Sequence, residues 1–290
     1  MRRGDAGTQE TGYRDTVPIR SSGASEAAKV GAKALLIRSV TASSLRTPHT
    51  GAVRYAEGVA KIPAAAITLE DAELLARLSA RGPTQVELSL GAKLLPDAVS
   101  GNAIAELRGR ELPDEVVVIG GHIDSWDTGD GSTDDGSGCL MAMDAALMLK
   151  ELGLVPRRTI RVVLFTNEEN GLRGAKAYHA AHGKERHVAA IEADSGSGAP
   201  LGFGVGGTPE QVAEIQTYAR LFHGLGADRL TSGGGGADIG PLMQDGGLGL
   251  GLQPEGSTYF DLHHSPADTF DKIDPDHLAR NTAALALMAF

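Results

Sequence analysis

Three apolar runs set the frame of this chain. Residues 115–121 read Glu-Val-Val-Val-Ile and stop at two glycines, residues 159–165 read Thr-Ile-Arg-Val-Val-Leu-Phe, and residues 187–191 read His-Val-Ala-Ala-Ile. Short apolar runs rich in β-branched residues and bounded by glycine or charge predict buried strands. Between the first two, Gly136 to Leu152 predicts a helix, with Leu140, Met143 and Leu147 at three- and four-residue spacing on the face expected to pack on the sheet. Gly153 ends that helix and Pro156 blocks its resumption. The alternation of strand and helix predicts an α/β domain with a largely parallel core sheet. Two more helices announce their starts: Thr208-Pro209-Glu210-Gln211 is a capping box with proline in the first turn, and Asp274-Pro275 opens the last helix by the same logic.

The first 96 residues have a different pattern. They predict a strand from Ala34 to Arg38, a helix capped near Thr68 with Asp71 three residues on, and a strand from Val86 to Leu90. None of this offers metal-ligand spacing. His49 lies in a proline-containing loop and is expected to be solvated.

Candidate chemistry follows each of the three strands. His122 ends the first, Glu168 and Glu169 follow the second, and Asp194 follows the third. Open α/β sheets gather ligands outside the carboxyl ends of their strands. Asp134 sits in the Asp- and Gly-rich loop 130–138 and can turn back toward His122 as a bridging ligand; Asp135 competes for that role, and an Asp-rich turn with no ligand is ordinary turn chemistry. Adjacent glutamates directly after a buried strand have no structural work there, and their side chains diverge. One can therefore bind metal while the other faces a water as general base. With His264 added, the donors are imidazoles and carboxylates without thiolate, which suits a pair of hydrolytic divalent metals, usually zinc, better than a structural zinc site.

These residues carry a resemblance. The segments Gly120-Gly121-His122-Ile123-Asp124-Ser125-Trp126-Asp127, Asp134-Asp135-Gly136-Ser137-Gly138, Glu168-Glu169 and His263-His264-Ser265-Pro266-Ala267-Asp268-Thr269 resemble the co-catalytic zinc peptidases of metallopeptidase family twenty-eight, and within it the carboxypeptidase Q branch. The likeness extends back through residues 22–32 and 47–51, so it covers nearly the whole chain. It implies a three-layer zinc-exopeptidase fold (phosphorylase/hydrolase-like) over residues 97–290, preceded by a small protease-associated domain over residues 1–96. It also implies two zinc ions: His122 and Asp194 complete one site, Glu169 and His264 the other, Asp134 bridges, and Glu168 is the general base. His264 rather than His263 is the implied ligand, because the family's ligand directly precedes the Ser or Thr of the motif. His263 stands where many relatives have an oxyanion-stabilising Tyr, so it becomes a candidate oxyanion or substrate contact. The family pattern implies a cis link between Asp134 and Asp135. Carboxylates behind the ligands should hold the imidazoles in orientation, Asp124 for His122 and Asp268 for His264, although a cap or turn role competes for each. Gly233-Gly234-Gly235-Gly236 corresponds to a loop beside the family's active site, which makes Asp238 a second candidate contact.

Composition narrows the function further. With 290 residues and 41% hydrophobic content the chain can bury one large core and a smaller unit, and a formal net charge of -10 disfavours nucleic acid and anionic membranes. No apolar run approaches the roughly 18 residues of a membrane-spanning helix. The single cysteine, Cys139, is expected to be a buried structural thiol. Met1-Arg2-Arg3 is followed by polar residues without the apolar core of a signal peptide, whereas members of the family are commonly exported and carry an additional N-terminal catalytic segment. The chain thus reads as N-terminally truncated. The leading expectation is a dizinc exopeptidase or dipeptidase acting on small peptides, with a homodimer as a candidate assembly. An aminopeptidase on longer peptides and a non-catalytic peptidase-fold binding module are the alternatives.

Overall fold

The structure is a computed structural model that describes residues 12–43, 45–244 and 246–290. The chain begins with α1 (Tyr13–Lys29), β1 (Leu35–Arg38), β2 (Ala64–Ile67) and α2 (Leu69–Ser79), and β1 and β2 pair in parallel as a separate small sheet. Thr68 caps α2 as its sequence predicts, its hydroxyl accepting the Asp71 N–H at 3.1 Å. Residues 83–102 form no regular element, so the expected strand at Val86 to Leu90 is absent. Both end residues are exposed, and no neighbouring strand supplies the hydrogen bonds that alternation alone cannot.

From there the elements are β3 (Ala103–Leu107), β4 (Leu112–His122), α3 (Ser137–Glu151), β5 (Arg158–Phe165), α4 (Arg173–His182), β6 (Arg186–Glu192), β7 (Pro200–Gly206), α5 (Pro209–Gln216), α6 (Ala219–Phe222), β8 (Arg229–Ser232), α7 (Gly240–Gln244), β9 (Leu248–Pro254), α8 (Tyr259–Leu262) and α9 (Pro275–Ala289). Among the described residues seven strands form one sheet in the order β3-β5-β4-β6-β9-β7-β8. Strands β5, β4, β6 and β9 run parallel, while β3 and β7 are antiparallel to their neighbours β5 and β9. Val117 and Ile119 of β4 join the core under α3 and α9, and Val116 and Val118 join Phe165, Ala175 and Tyr178 under α4 and α7. Burial of both faces explains why these strands read as continuous apolar runs, and it gives three layers, helices on either side of the sheet. Both helix starts marked by proline form as predicted, with the Thr208 capping box on α5 and Asp274 capping α9. None of the helices among the described residues is long and apolar enough to cross a membrane.

Helix α3 forms where its pattern predicts but presents a different face. Leu140, Met143 and Leu147 are 46%, 45% and 48% exposed, whereas Met141, Ala142 and Ala145 are at 0%. Both stripes are apolar, so the spacing fixes the period and leaves the phase open. The stripe with Ala142 and Ala145 takes the inner face because α3 packs against both the sheet and the neighbouring α9, where alanine allows close approach.

The N-terminal segment is tied to the main body at residues 49–50. The Thr50 N–H donates to the His264 carbonyl at 2.8 Å, and His49 Nδ1 lies 2.6 Å from the His263 carbonyl oxygen. His49 is only 1% exposed, contrary to the solvated side chain its loop suggests. Burial lowers its pKa from the ordinary 6.5 to about 4, so the ring is neutral and donates through Nδ1.

Two outcomes follow. Ala145→Leu should cost about 1–3 kcal/mol by overpacking, and Leu147→Gln should stay within about 0.5 kcal/mol; urea denaturation reads both, and the reverse ranking would restore the other face. His49→Ala should cost roughly 1–3 kcal/mol at neutral pH by leaving the His263 carbonyl without its donor. Because the folded pKa is depressed, the neutral imidazole's contribution is complete above pH 6.5 and is lost as the pH falls toward 4. The stability gap between wild type and His49→Ala should shrink across that window, and a gap that does not change with pH contradicts the assignment.

Candidate metal centre

Sheet register brings the three ligand-bearing strand ends side by side. His122 pairs across β4 and β5 with Phe165, three residues before Glu168, and Gly120 pairs across β4 and β6 with Glu192, two before Asp194. The chain continues this registry past the strands, Ile123 N–H donating to the Phe165 carbonyl at 2.7 Å and Ala193 N–H to the Gly120 carbonyl at 2.9 Å. The C-terminal edge of β5, β4 and β6 therefore presents Glu168, Glu169, His122 and Asp194 to one cleft of about 640 Å³.

Asp134 reaches that edge from the loop before α3, in a single π-type turn, and the peptide between Asp134 and Asp135 is cis. Asp135 points inward. Its Oδ2 accepts the His122 N–H at 3.0 Å and its Oδ1 the Gly138 N–H at 3.2 Å. Glycine is needed beside it, because a Cβ on Gly121 would lie 2.1 Å from Asp135 Oδ2. Of the two aspartates, Asp134 faces the cleft and Asp135 braces the strand that delivers His122.

The two oxygens of Asp134 face different partners. Oδ1 lies 3.3 Å from His122 Nε2, which is also 3.6 Å from Asp194 Oδ1. Oδ2 lies 3.3 Å from His264 Nε2 and 3.6 Å from His263 Nε2, and His264 Nε2 is 2.9 Å from Glu169 Oε2. His122-Asp134-Asp194 and Asp134-His263-His264 each form a cluster compact enough for one cation, with Glu169 joining the second through His264. His263, expected as an oxyanion or substrate contact, thus lies among the donors of the second cluster. Its ring stacks on His264 with centroids 3.7 Å apart.

The donor atoms fit divalent cations. Asp134 Oδ2, Glu169 Oε1 and Asp194 Oδ1 are buried and accept no hydrogen bond. Unpaired buried carboxylate oxygens are costly unless a cation meets them. Burial lowers the His122 pKa, but the neighbouring Asp134 and Asp194 carboxylates outweigh it and raise the net value. Burial pushes Glu168 up to about 8, with Asp194 and Glu169 reinforcing and His122 opposing. No thiol competes, since Cys139 is buried behind the site with its Sγ donating to the His122 carbonyl at 3.1 Å.

The supporting contacts differ from those the sequence suggests. His264 Nδ1 faces the Thr50 carbonyl at 3.1 Å, not Asp268; the Asp268 carboxylate instead accepts the Thr133 and Asp134 N–H groups at 2.7 and 3.0 Å. Asp124 meets His122 Nδ1 through its backbone carbonyl at 2.8 Å, while its carboxylate accepts the N–H groups of Glu168 and Glu169. Glu169 Oε2 also accepts from Trp126 Nε1 at 2.7 Å. Asp238 is 1% exposed and does not line the cleft; burial raises its pKa to about 7. Within the glycine run 233–236 two positions are fixed by close approach, since a Cβ on Gly234 would lie 2.0 Å from the Gly204 backbone and one on Gly236 would meet the Glu192 carboxylate at the same distance, whereas Gly233 is exposed with nothing beside it. Sequence reasoning missed Tyr13 and Arg20, which enter the cleft from α1. Their seven-residue spacing, two helical turns on one face, is the signal that was available.

Known proteins resemble this chain over nearly its whole length. The chain is 42% identical to carboxypeptidase Q of Mus musculus over 97% of its own length and 60% of that protein, and 44% identical to carboxypeptidase Q of Xenopus laevis over 91% and 57%. It spans about 60% of the length of these curated relatives. The crystal structure of a peptidase M28 precursor from Shewanella amazonensis superposes with a TM-score of 0.86 at 38% identity, covering 96% of this chain and 64% of that one. A zinc aminopeptidase from Bacillus subtilis shares the fold, with a TM-score of 0.63 at 24% identity over 91% of this chain and 65% of that one. Residues 102–289 match the sequence model of peptidase family M28, and on these grounds the chain belongs to that family.

Proposed function

We propose that this chain is a metallo-exopeptidase that hydrolyses dipeptides or short peptides with two zinc ions. The observation that carries the reading is the pair of donor clusters sharing Asp134, with Glu168 in the same cleft and uncommitted to either cluster. His122 and Asp194 are assigned to one ion, His264 and Glu169 to the other, and Asp134 to both. His263 lies within reach of the second ion as well as of the substrate. When bound, two divalent ions of this kind lower the pKa of a water at the site and stabilise negative charge on the attacked carbonyl oxygen.

The chain's own residues supply the proton movements and the positioning. Glu168 takes a proton from the attacking water and delivers it to the leaving amine as the peptide bond breaks. Asp124 fixes the turn that separates Glu168 from Glu169 by accepting both of their backbone N–H groups, so the two carboxylates keep distinct tasks. The Thr50 carbonyl accepts from His264 Nδ1, which leaves Nε2 free to ligate. A cleft of about 640 Å³ is of the size that encloses a small ligand, which favours short peptides over long ones.

Residues 1–96 are assigned to a protease-associated domain and 97–290 to the catalytic domain. The separate parallel pair β1 and β2 with its two helices supports that division, as does the start of the family match at residue 102. Because Tyr13 and Arg20 reach the cleft, this domain forms part of the substrate wall.

Glu168→Gln should bind two zinc ions and lose turnover by at least about 100-fold, while Asp134→Ala should lose both ions and all turnover. Elemental analysis alongside dipeptide hydrolysis checks both variants. Full activity of Glu168→Gln at matched metal content removes the general-base role, and full metal content in Asp134→Ala removes the bridge.

A further inference from the structure

Of the three carboxylates assigned to the ions, Glu169 alone accepts a hydrogen bond from a side chain outside the donor clusters, among the described residues. The donor is Trp126, the chain's single tryptophan, whose Nε1 lies 2.7 Å from Glu169 Oε2. The Glu169 side chain is 6% exposed, and its other oxygen, Oε1, accepts nothing. Trp126 also tilts over the His264 ring, with centroids 5.8 Å apart. One side chain thus meets both residues assigned to the second ion, yet it does not line the cleft.

The loop that carries Trp126 is held at both ends. At one end the Asp124 carboxylate accepts the N–H groups of Glu168 and Glu169, at 3.0 and 3.3 Å. At the other, the Asp130 N–H donates to the Asp268 carbonyl at 2.8 Å, and a Cβ on Gly129 would lie 2.6 Å from the Ser265 carbonyl oxygen. Both anchors belong to the segments that deliver Glu169 and His264, so the indole keeps a fixed place relative to the two. The cavity bounded by Trp126, Glu169, Asp134 and His264 is about 10 Å³, room for at most one water, which leaves the indole as the main donor there. Its chemistry suits the task. An indole N–H donates and cannot accept, and being neutral it orients the carboxylate while leaving the negative charge for a cation. A lysine or arginine in its place would compete with the ion for that charge.

We propose that Trp126 is a positioning residue for the second ion: its indole N–H holds the Glu169 carboxylate in the ligating orientation and so sets the affinity of the site made by Glu169 and His264. The proposal rests on the dizinc reading and adds to it what sets the strength of one of the two sites. A glutamate side chain has several rotatable bonds, and ordering it when a metal binds costs side-chain entropy. With the indole in place the carboxylate is ordered before the ion arrives. The site made by His122 and Asp194 accepts nothing from Trp126 and does not depend on it.

The test measures zinc binding to the full chain by competition with a chelator. Trp126→Phe keeps an aromatic ring beside His264 and removes the N–H. It should weaken the binding of one of the two zinc ions by roughly 10- to 100-fold and leave the other unchanged, and the unchanged site shows that the fold is intact. In a Glu169→Ala background the same substitution should add nothing further, because the indole acts through that carboxylate. Replacing the single tryptophan by fluorotryptophan, which retains the N–H, should preserve the wild-type affinity of both sites. Unchanged affinities in Trp126→Phe, equal losses at both sites, or a full additional loss on top of Glu169→Ala overturns the role of Trp126. A wild-type chain that binds no zinc removes the dizinc reading and this role with it. A chain that shows the Trp126-dependent affinity yet cleaves no dipeptide keeps the role and loses the peptidase reading.

Discussion

Two buried carboxylates, Asp135 and Asp268, hold the backbone of the loop that carries Asp134, and the geometry of the centre is set from that grip. Asp135 ties the end of β4 to the start of α3 by accepting from His122 and Gly138, and Asp268 accepts from Thr133 and Asp134. The two donor clusters share Asp134, so a shift of this loop would open both at once. Four backbone N–H groups, three near the start of α3 and one at the end of β4, are satisfied in this way, in a region too buried for water to take their place. The acids that hold the loop are thus distinct from the acid that the loop presents.

A second constraint couples the two halves of the chain. His264 adopts a left-handed backbone conformation, with φ +59°, and residues 49–50 grip it from the N-terminal side. The Thr50 amide holds its carbonyl, the Thr50 carbonyl faces its Nδ1, and His49 holds the carbonyl just before it. The N-terminal segment therefore fixes the orientation of His264, and through Arg20 it also lines the cleft.

What could be read from the sequence follows the range of the interactions involved. Strands β4, β5 and β6 are legible because burial on both faces forces continuous apolar runs, and the placement of His122, Glu168, Glu169 and Asp194 is legible because each follows such a run. The supporting contacts are not: Thr50 and His264 are 214 residues apart, and no local pattern announces that their atoms meet. The inner face of α3 escaped because two apolar stripes fit the same period. The glycine run 233–236 invites a reading as a substrate loop, yet Gly234 serves a backbone-to-backbone approach to β7, a requirement visible only once Gly204 and Gly234 are side by side. His49 looks like a loop residue and becomes a core one because its partner lies at the far end of the chain.

X-ray absorption of the zinc-loaded protein addresses the shared ligand most directly, because a bridged pair of ions scatters differently from two separate ones. The predicted result is a first shell of nitrogen and oxygen only, with a zinc–zinc vector at about 3.5 to 4 Å. Sulfur in the first shell, or two bound ions with no such vector, would contradict an account in which Asp134 joins two sites.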